Sequence, residues 1–366
     1  MTYSNDRRIV MTLDAGGTNF VFNAVQANQE ILEAIVLPAK GENLETVLKT
    51  IIEGFSQVKG KLKNNPVAIS FAFPGPADFE RGIIGDLQNL PFFKGGVALG
   101  PMLEETFGAP VFINNDGDLF TYGEAIAGLL PEINQRLELE GNPKRYHNLF
   151  GVTFGTGFGG GIVTRNGLLI GDNCAGGEIN RTRNRTFKSW DAEESVSIRG
   201  LKREYANNTG VNLASCPEPK DIFEIAMGKR VGDRNSAIKA FEAYARDAAD
   251  AIANAITLID GLVVIGGGLS GAYPVFLPKL VEEMNTPFDT MSGHPLDRME
   301  VAAYNLEDPT GLANFLKSTT VDIPVPFSDK IVSFDANKKI GVGISRLGAS
   351  KAVSIGAYAF ALGKLK

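Results

Sequence analysis

The chain has 366 residues, and 36 basic against 42 acidic side chains give it a formal net charge of −6. This length accommodates two domains, each with a core of its own. The negative net charge argues against a surface that binds nucleic acid, and the hydrophobic fraction of 44% is that of an ordinary globular enzyme.

Cysteine and histidine are too scarce for several classes of active site. The chain has two cysteines, Cys174 and Cys216, and two histidines, His147 and His294. Without a C-x-x-C pair there is no basis for a disulfide framework or a cysteine-based zinc site, and a histidine-rich metal centre or a Ser-His-Asp hydrolase is unsupported. No apolar stretch approaches the roughly 18 residues of a membrane span, and the N-terminus lacks the apolar part of a secretion signal. We therefore expect a cytoplasmic protein.

The first element is an apolar strand, residues 9–13, that ends in the sequence DAGGTN, after which residues 20–25 resume as a strand. An acid at the end of a strand, next to glycines that can surround a phosphate, suits a hydrated Mg²⁺, because Mg²⁺ prefers carboxylates and substrate phosphates as ligands. Asp14 is the candidate. A tight hairpin with a turn-capping aspartate explains the same pattern.

Two further strands end in polar sequence. A helix over 42–58 leads to a buried strand over 67–73 and then to a loop with Gly75 and Asn89, which suits a binding edge or ordinary surface. A short strand over 109–113 ends in NNDGD, before a helix over 119–130. Asp116 or Asp118 could cap that helix. Two Asn and two Asp at the carboxyl end of a strand exceed what a cap needs, and ligands of open α/β sheets bind there.

A glycine-rich stretch follows in the second half of the chain. Gly155, Gly157 and Gly160 match G-x-G-x-x-G, and Glu178 has about the spacing of a ribose-binding acid. The dinucleotide fingerprint requires a helix after the glycines, whereas residues 161–164 continue as a strand into a hairpin turn. The loop can still bind phosphate through its backbone amides. Because strand, glycine turn and strand occur twice, we expect two related halves with a cleft between them.

Helices are expected over 191–205, 217–226, 236–259 and 351–365. A strand over 261–265 runs into Gly266, Gly267 and Gly268, which allow close approach of a flat ligand such as adenine, or form a plain strand-to-helix turn. The sequence indicates no chemistry between residues 285 and 339.

Seven motifs, in order from about Ile9 to Leu362, resemble the ROK family of sugar kinases and repressors: LDAGGTNF, FAFPGPADFERGIIGDLQNLP, FINNDGDLFTYGEA, GTGFGGGIV, AGGEI, VVIGGGLS and LGASKAVSIGAYAFAL. The resemblance implies an α/β, two-domain, actin-like ATPase (ribonuclease H-like) fold with duplicated halves. It also implies transfer of the γ-phosphoryl of ATP, with Mg²⁺, to a hydroxyl of a hexose or N-acylhexosamine in the cleft. The implied domains are residues 1–118 plus 350–366 and residues 119–349.

The resemblance also assigns roles to individual residues. Asp116 corresponds to the catalytic base, and we expect the helix N-terminus to keep it ionised. The positions that correspond to sugar ligands are Gly75, Asn89, Asn115, Asp116, Glu178, Arg181 and Glu193. The positions that correspond to nucleotide ligands are Asp14 (with Mg²⁺), Gly16, Gly17, Thr18, Asn19, Gly155, Thr156, Gly157, Gly266, Gly267 and Gly268.

One departure from the family pattern concerns its zinc site. The family continues G-E-I-G-H, with a zinc-binding cysteine loop, whereas this chain reads G-E-I-N-R at 177–181, and residues 182–190 contain no cysteine. We therefore expect no zinc. Arg181 in place of the histidine is a permanent cation without an acceptor, so the substrate of zinc-bearing members cannot be assumed. An acidic or phosphorylated sugar is conceivable, and so is a site from which Arg181 points away.

Two functions other than a kinase are compatible with the resemblance, a repressor and a sugar sensor. The repressors of the family carry a winged helix before the first phosphate loop, and here only eight residues precede the first strand. A sugar sensor without activity is the stronger alternative, favoured by Arg181 and the unusual segment 285–339. The retained Asp116 favours the kinase, because a sensor needs no base. The sequence leaves open which sugar and hydroxyl react and whether the protein is a monomer or a homodimer.

Overall fold

The structure is a computed structural model, and it describes residues 3–15, 19–39, 41, 43–87 and 92–365. Its packing divides the chain into two compact units. Unit 1 comprises Met1–Gly128, Gly161–Gly177 and Arg346–Lys366, and unit 2 comprises Leu129–Gly160 and Glu178–Ser345. The domain boundaries expected from the family organisation stay a prediction.

Strands and helices alternate along much of the described chain. The strands are β1 (Val10–Ala15), β2 (Asn19–Gln26), β3 (Gln29–Glu30), β4 (Ile35–Pro38), β5 (Ala68–Ala72), β6 (Ala77–Asp78), β7 (Ile83–Ile84), β8 (Val111–Asn114), β9 (Leu149–Phe154), β10 (Phe158–Thr164), β11 (Gly167–Leu168), β12 (Leu262–Gly266), β13 (Ala302–Asn305), β14 (Val321–Pro324), β15 (Ile331–Phe334) and β16 (Lys339–Ile344). The α-helices are α1 (Leu44–Lys61), α2 (Leu99–Phe107), α3 (Asp116–Ala127), α4 (Leu129–Leu139), α5 (Ile198–Thr209), α6 (Pro219–Ala226), α7 (Arg234–Ile259), α8 (Tyr273–Met284), α9 (Pro309–Leu316) and α10 (Ala349–Lys364).

The sheet of unit 1 has the strand order β3-β2-β1-β5-β8, with β4 also paired to β2. β1 and β2 form an antiparallel hairpin, while β1, β5 and β8 run parallel. Asp14 is in register with Ala72, and Ala72 is in register with Asn114. The segments that follow β1, β5 and β8 therefore leave the sheet at the same edge.

Two apolar layers cover this sheet, because successive side chains of a strand point to opposite faces. Met11 packs in a cluster with Ile51 and Phe55 of α1 and with residues of α2. Val10, its neighbour, packs in a second cluster with Ile355 of α10 and with residues of α3. The alternating apolar pattern of β1 is thus buried on both faces, which fixes its carboxyl end in place.

Glycines allow α3 and α10 to pack closely on the second face. A side chain at Gly123 of α3 would overlap the carbonyl oxygen of Ala352, and one at Gly356 of α10 would overlap that of Leu119. The two backbones therefore touch through positions without side chains. This contact anchors α3, the helix whose first residue is Asp116.

The second large sheet has the strand order β11-β10-β9-β12-β16-β13, of which β9, β12, β16 and β13 lie wholly in unit 2. β12 runs parallel to both β9 and β16, with Gly266 in register with Thr153 and Ile265 with Ile344. A hairpin strand followed by two parallel strands is also the order in unit 1, so the repeated halves and the α/β class predicted from the sequence are confirmed. None of the helices in the described ranges has the length and apolar character of a membrane span.

The structure corrects one expected helix. The helix expected over 191–205 is interrupted, because Ala192–Glu194 forms a single 3₁₀ turn and α5 begins only at Ile198. Each piece has its own cap: Asp191 accepts from the amide of Glu194, and Ser197 accepts from that of Gly200. Side chains that bond nearby amides end helices as readily as they start them.

The segment that the sequence left uninterpreted holds regular structure. β13 extends the sheet of unit 2 at its edge, α9 follows, and β14 and β15 form a separate antiparallel hairpin. Apolar side chains of this hairpin are exposed, among them Val321, Phe327 and Ile331. Weak alternation in the sequence reflects this exposure, since a strand outside the core needs no buried face.

Candidate active site

The expected site residues fall on both units. Asp14, Asn19, Gly75, Asn115 and Asp116 belong to unit 1. Unit 2 carries the following positions: Gly155, Thr156, Gly157, Glu178, Arg181, Glu193, Gly266, Gly267 and Gly268. Gly16, Gly17, Thr18 and Asn89 lie outside the described residues. The described members of the expected site are thus divided between the two units.

The unit 1 group lies at the carboxyl edge of the sheet. Asp14 is the second-last residue of β1, and Asn115 and Asp116 directly follow β8. Gly75 lies three residues beyond β5 and is exposed. The amide of Phe73 donates to the carbonyl of Asn114 at 3.0 Å, which ties the chain after β5 to the end of β8. Asn19 begins β2 and is exposed.

Hydrogen bonds define the start of α3. Asn115 is its N-cap, and its Oδ1 accepts from the amide of Gly117 at 2.7 Å. Asp116 Oδ1 accepts from the same amide at 2.9 Å. The cap role weighed in the sequence analysis therefore belongs to Asn115. The Asp116 carboxylate is left with further lone pairs for a ligand.

The pKa of Asp116 is raised above the ordinary aspartate value. The main cause is loss of hydration among surrounding protein atoms; the charge of Asp14 adds to it, and the amide of Gly117 opposes it. The helix N-terminus was expected to favour the anion, and the amide does so, but desolvation is the larger effect. Solvent reaches the Asp116 side chain, so the carboxyl can ionise and act as a base.

Asn114 contributes a buried donor next to this carboxylate in the chain. Its side chain is 2% exposed, and its Oδ1 accepts from the amide of Asn115 at 2.8 Å. Its Nδ2 has no hydrogen-bond partner within the described ranges. A buried amide without a partner is costly, so this edge of the sheet is not optimised for stability alone.

The fit of Mg²⁺ to unit 1 rests on the donor chemistry of this edge. Asp14 supplies an oxygen ligand, and Mg²⁺ characteristically takes one or two carboxylates and completes its shell with water and substrate phosphate. In the described part of the chain, no group of three or more His, Cys, Asp or Glu could hold a metal ion. The carboxylate of Asp14 thus fits a metal ion that arrives with the nucleotide.

The second glycine loop follows β9 in unit 2. The amide of Gly155 donates to the carbonyl of Gly157 at 3.1 Å, and the carbonyl of Gly155 accepts from the amide of Ile198 at 2.9 Å. A side chain at Gly155 would extend into open space. The glycines are followed by strand β10, so the prediction against a dinucleotide-binding helix is confirmed. The loop leaves room for a phosphate close to its backbone.

Glu193 holds this loop from the side. Its Oε2 accepts from the amide of Phe158 at 2.9 Å, and its Oε1 accepts from Arg199 at 3.2 Å. A side chain at Gly157 would come within 2.7 Å of Glu193 Oε2. Glu193 thus supports the second glycine loop, which the sequence did not indicate, while its role as a sugar ligand stays a prediction.

The third glycine run borders a pocket. Leu269 donates its amide to the carbonyl of Phe154 at 2.9 Å, which places the turn after β12 beside the end of β9. A pocket of about 350 Å³ opens there, within the size range of small-ligand sites. Its lining residues are Pro219, Lys220, Phe223, Glu224, Lys229, Gly268, Leu269, Gly271 and Ala272. Gly268 is exposed, and a side chain on it would fill open space, so the residues fit a flat base with a phosphate chain.

Glu178 and Arg181 lie at the two ends of one short element. Glu178 precedes the 3₁₀ turn Ile179–Arg181, and both side chains are exposed. No hydrogen bond or ion pair of either side chain is found within the described residues. Both groups are therefore available to a polar ligand.

The pocket residues on α6 and the supports of the loop were missed by sequence reasoning. Phe223 and Lys220 were assigned to a helix without any chemistry, because a helix pattern does not show what the helix faces. Asn184, buried at 2% exposure, was assigned to a loop. Trp190, the single tryptophan of the chain, was a signal that could have marked that loop as structured.

The chain is similar to known proteins over most of its length. The model of the ROK family matches residues 10–313. The glucokinase of Thermotoga maritima is 29% identical over 293 residues, which cover 74% of this chain and 86% of that protein. The crystal structure of glucokinase from Parabacteroides distasonis superposes with a TM-score of 0.90 at 53% identity and covers 99% of both chains.

A more distant structure was solved with ligands. The ROK family glucokinase from Streptomyces griseus, in complex with glucose and AMPPNP, has a TM-score of 0.61 at 18% identity and covers 96% of this chain and 98% of that one. At this identity the likeness concerns the fold alone. The two-domain, actin-like ATPase fold implied by the sequence motifs is confirmed by these structures.

Proposed function

The chain belongs to the ROK family, and we propose that it transfers the γ-phosphoryl group of ATP to a hydroxyl of a hexose, with glucose as the acceptor. The carbohydrate kinase class agrees with both glucokinases named above. The choice of glucose over an N-acylhexosamine rests on the glucokinase that shares 53% of its sequence with this chain over nearly its whole length.

The observation that carries the proposal is Asp116 at the first position of α3, beside Asp14 at the same sheet edge. A kinase base must accept the proton of the attacking hydroxyl, and a raised pKa makes a carboxylate a stronger base. The transition state of phosphoryl transfer is loose, so the base chiefly orients the hydroxyl and takes its proton as the new O–P bond forms. Asp116 therefore suits this task.

The nucleotide is proposed to bind to the glycine loops. The pocket beside Gly268 has the size and apolar wall, with Phe223 and Leu269, that an adenine base requires. The loop of Gly155 and Gly157 offers room for the phosphates close to its backbone at Gly155. Asp14 would hold Mg²⁺, which when bound neutralises phosphate charge in the transition state.

The sugar is proposed to bind to the side chains whose hydrogen-bonding groups stay available. The carboxylates of Asp116 and Glu178 accept hydrogen bonds, and the guanidinium of Arg181 donates them. This combination matches sugar hydroxyls, which both donate and accept hydrogen bonds. The remaining assigned ligands are Gly75, Asn89, Asn115 and Glu193. Because Arg181 is a donor alone, it selects for an acceptor oxygen, and an anionic sugar would gain an ion pair with it.

The proposal is tested by ADP release from Mg²⁺-ATP with a panel of neutral, N-acetylated, acidic and phosphorylated hexoses. We expect glucose to stimulate release most. Arg181→Gln, with Arg165→Gln as an exposed control in the β10–β11 turn, then reports whether Arg181 faces the sugar. In that case the KM for the sugar rises about 10-fold while the KM for ATP is unchanged.

Two results would contradict the proposal. Preferred turnover of an acidic or phosphorylated hexose would refute glucose but retain the kinase. If no sugar stimulates ADP release while some sugar raises the thermal midpoint, the protein is a sensor, since ligand binding stabilises the native state without turnover.

A further inference from the structure

The loop Thr182–Asp191 replaces the segment that carries zinc in other members of the family. Zinc requires Cys, His, Asp or Glu side chains in close groups, and residues 182–190 contain none of these four types. The residues present do not fit a zinc site. A loop of this length must then be ordered by contacts of its own, because a loop without such contacts would fray.

Asn184 lies at the centre of the loop and uses its full hydrogen-bonding capacity. Its Oδ1 accepts from the amides of Thr186 at 2.9 Å and Phe187 at 2.8 Å. Its Nδ2 donates to the carbonyl of Asp191 at 3.0 Å and to Oγ of Ser195 at 2.8 Å. An amide can make about four such bonds, so this side chain is fully satisfied while buried.

A stack of side chains closes the other side of the loop. The rings of Phe187 and Trp190 lie 4.3 Å apart with an interplanar angle of 32°. The guanidinium of Arg203, from α5, lies 5.2 Å from the first ring and 4.8 Å from the second. The same guanidinium donates to the carbonyl of Glu194 at 2.9 Å and to Ser195 Oγ at 3.3 Å. Ser195 thus joins the stack to the Asn184 network.

These contacts connect Asn184 to the second glycine loop, residues 155–157, in two steps. Asp191, whose carbonyl Asn184 bonds, caps the 3₁₀ turn by accepting from the amide of Glu194 at 3.1 Å. That turn carries Glu193, which accepts from the amide of Phe158 at 2.9 Å, directly after the second glycine loop. All of these residues belong to unit 2.

We infer that Asn184 is a positioning residue that fixes the nucleotide-binding glycine loop through Asp191, Ser195 and Glu193, in a loop that no metal ion organises. The inference rests on the proposed nucleotide site. It predicts that loss of the Asn184 amide loosens the 3₁₀ turn, lets Glu193 leave the amide of Phe158, and weakens phosphate binding. It assigns Asn184 no contact with the sugar or with Asp116.

Two readouts follow the loop and the nucleotide without requiring sugar turnover. Trp190 is the only tryptophan, so emission excited at wavelengths beyond the absorption of tyrosine reports on this loop alone. Calorimetry with Mg²⁺ and a non-hydrolysable ATP analogue reports on the glycine loop. Asn184→Ala should shift the emission of Trp190 and weaken analogue binding about 10-fold, as expected for loss of a buried hydrogen-bond centre.

Controls separate positioning from general damage. Asn207→Ala removes an exposed asparagine of α5 and should match the wild type in both readouts. Ser195→Ala is a milder variant that breaks the link at a residue with 3% exposure, and it carries the same test if Asn184→Ala does not fold. In active variants, the KM for ATP should rise while the acidic limb of the kcat profile, which Asp116 sets, stays in place.

The outcomes are distinct. The positioning role would be overturned if both variants kept the wild-type emission of Trp190 and the wild-type affinity for the ATP analogue. It would also be overturned if the emission shifted while the affinity for the analogue stayed at the wild-type value. A zinc chelator should leave the emission and the thermal midpoint of the wild type unchanged; a drop in both that added zinc reverses would show that a metal holds the loop. Silence of the wild type in the sugar assay would contradict the proposed function alone, because the analogue still tests Asn184.

Discussion

Asp14 and Asp116 lie in the same unit, at the carboxyl ends of β1 and β8, and the charge of Asp14 helps to raise the pKa of Asp116. Two carboxylates in different surroundings can serve different tasks, one as a metal ligand and one as a base. Asp14 lies at the end of the strand that leads into the first glycine loop, and Asp116 opens a helix. Their roles can be separated by substitution.

Asp116→Asn should lower kcat by about 10²–10⁴-fold, the usual contribution of a general base, and leave binding of the ATP analogue intact. The thermal midpoint at neutral pH should not fall. Because folding raises the pKa of Asp116, its ionised carboxylate destabilises the native state above that pKa. The uncharged side chain of the Asn variant removes this effect. Asp329→Asn, an exposed change in the β14–β15 hairpin, is the control. If Asp116→Asn retained its turnover, Asp116 would be excluded as the general base.

The titration of Asp116 should depend on Asp14. Because the negative charge of Asp14 favours the protonated form of its neighbour, Asp14→Asn should lower the pKa of Asp116. Carboxyl ¹³C resonances measured in the absence of nucleotide give this pKa directly. In the wild type the pKa should exceed roughly 3.9, the reference for aspartate, and kcat should fall as pH drops through it. A pKa that is unchanged or higher in Asp14→Asn would show that the two carboxylates do not interact.

Substitution of Gly268 should affect the nucleotide and not the fold. The new Cβ of Gly268→Ala meets no atom within 4 Å, so the thermal midpoint should change little. It would occupy space beside the pocket, and we expect the KM for ATP to rise about 10-fold with an unchanged KM for the sugar. Gly60→Ala, at an exposed position of α1, is the matched control and should stabilise by about 0.5–1 kcal/mol. Equal effects on both KM values would argue against a nucleotide site at Gly268.

Close packing of α3 on α10 should make Gly123 intolerant of change. The Cβ of Gly123→Ala would overlap the carbonyl oxygen of Ala352, and backbone cannot yield as a side chain can. We expect a loss of about 2–4 kcal/mol in the free energy of unfolding, measured by urea denaturation. Gly60→Ala again serves as the control. A neutral result would mean that the two helices can separate at little cost.

Local patterns predicted most of the elements around the site. The apolar run of β1 followed by Asp14 gave a strand and its end, and the periodicity of residues 236–259 gave α7, which spans Arg234–Ile259. The helix expected over 191–205 was wrong, because Asp191 caps a separate 3₁₀ turn and Ser197 caps α5. Helix propensity is averaged over a window such as residues 191–205, so it cannot show a break that side chain–backbone hydrogen bonds create.

Residues adjacent in the chain were sufficient to predict the family, the repeated strand–glycine–strand units and the acid that follows β8. Three contacts became apparent only in the three-dimensional structure: Asn115 caps α3, Glu193 supports the glycine loop at Phe158, and Asn184 joins Asp191 to Ser195. No periodic pattern or motif in the sequence links the two partners of each of these contacts. Their partners are set by the packing of whole elements, since a hydrogen bond forms only where both groups are brought within about 3 Å.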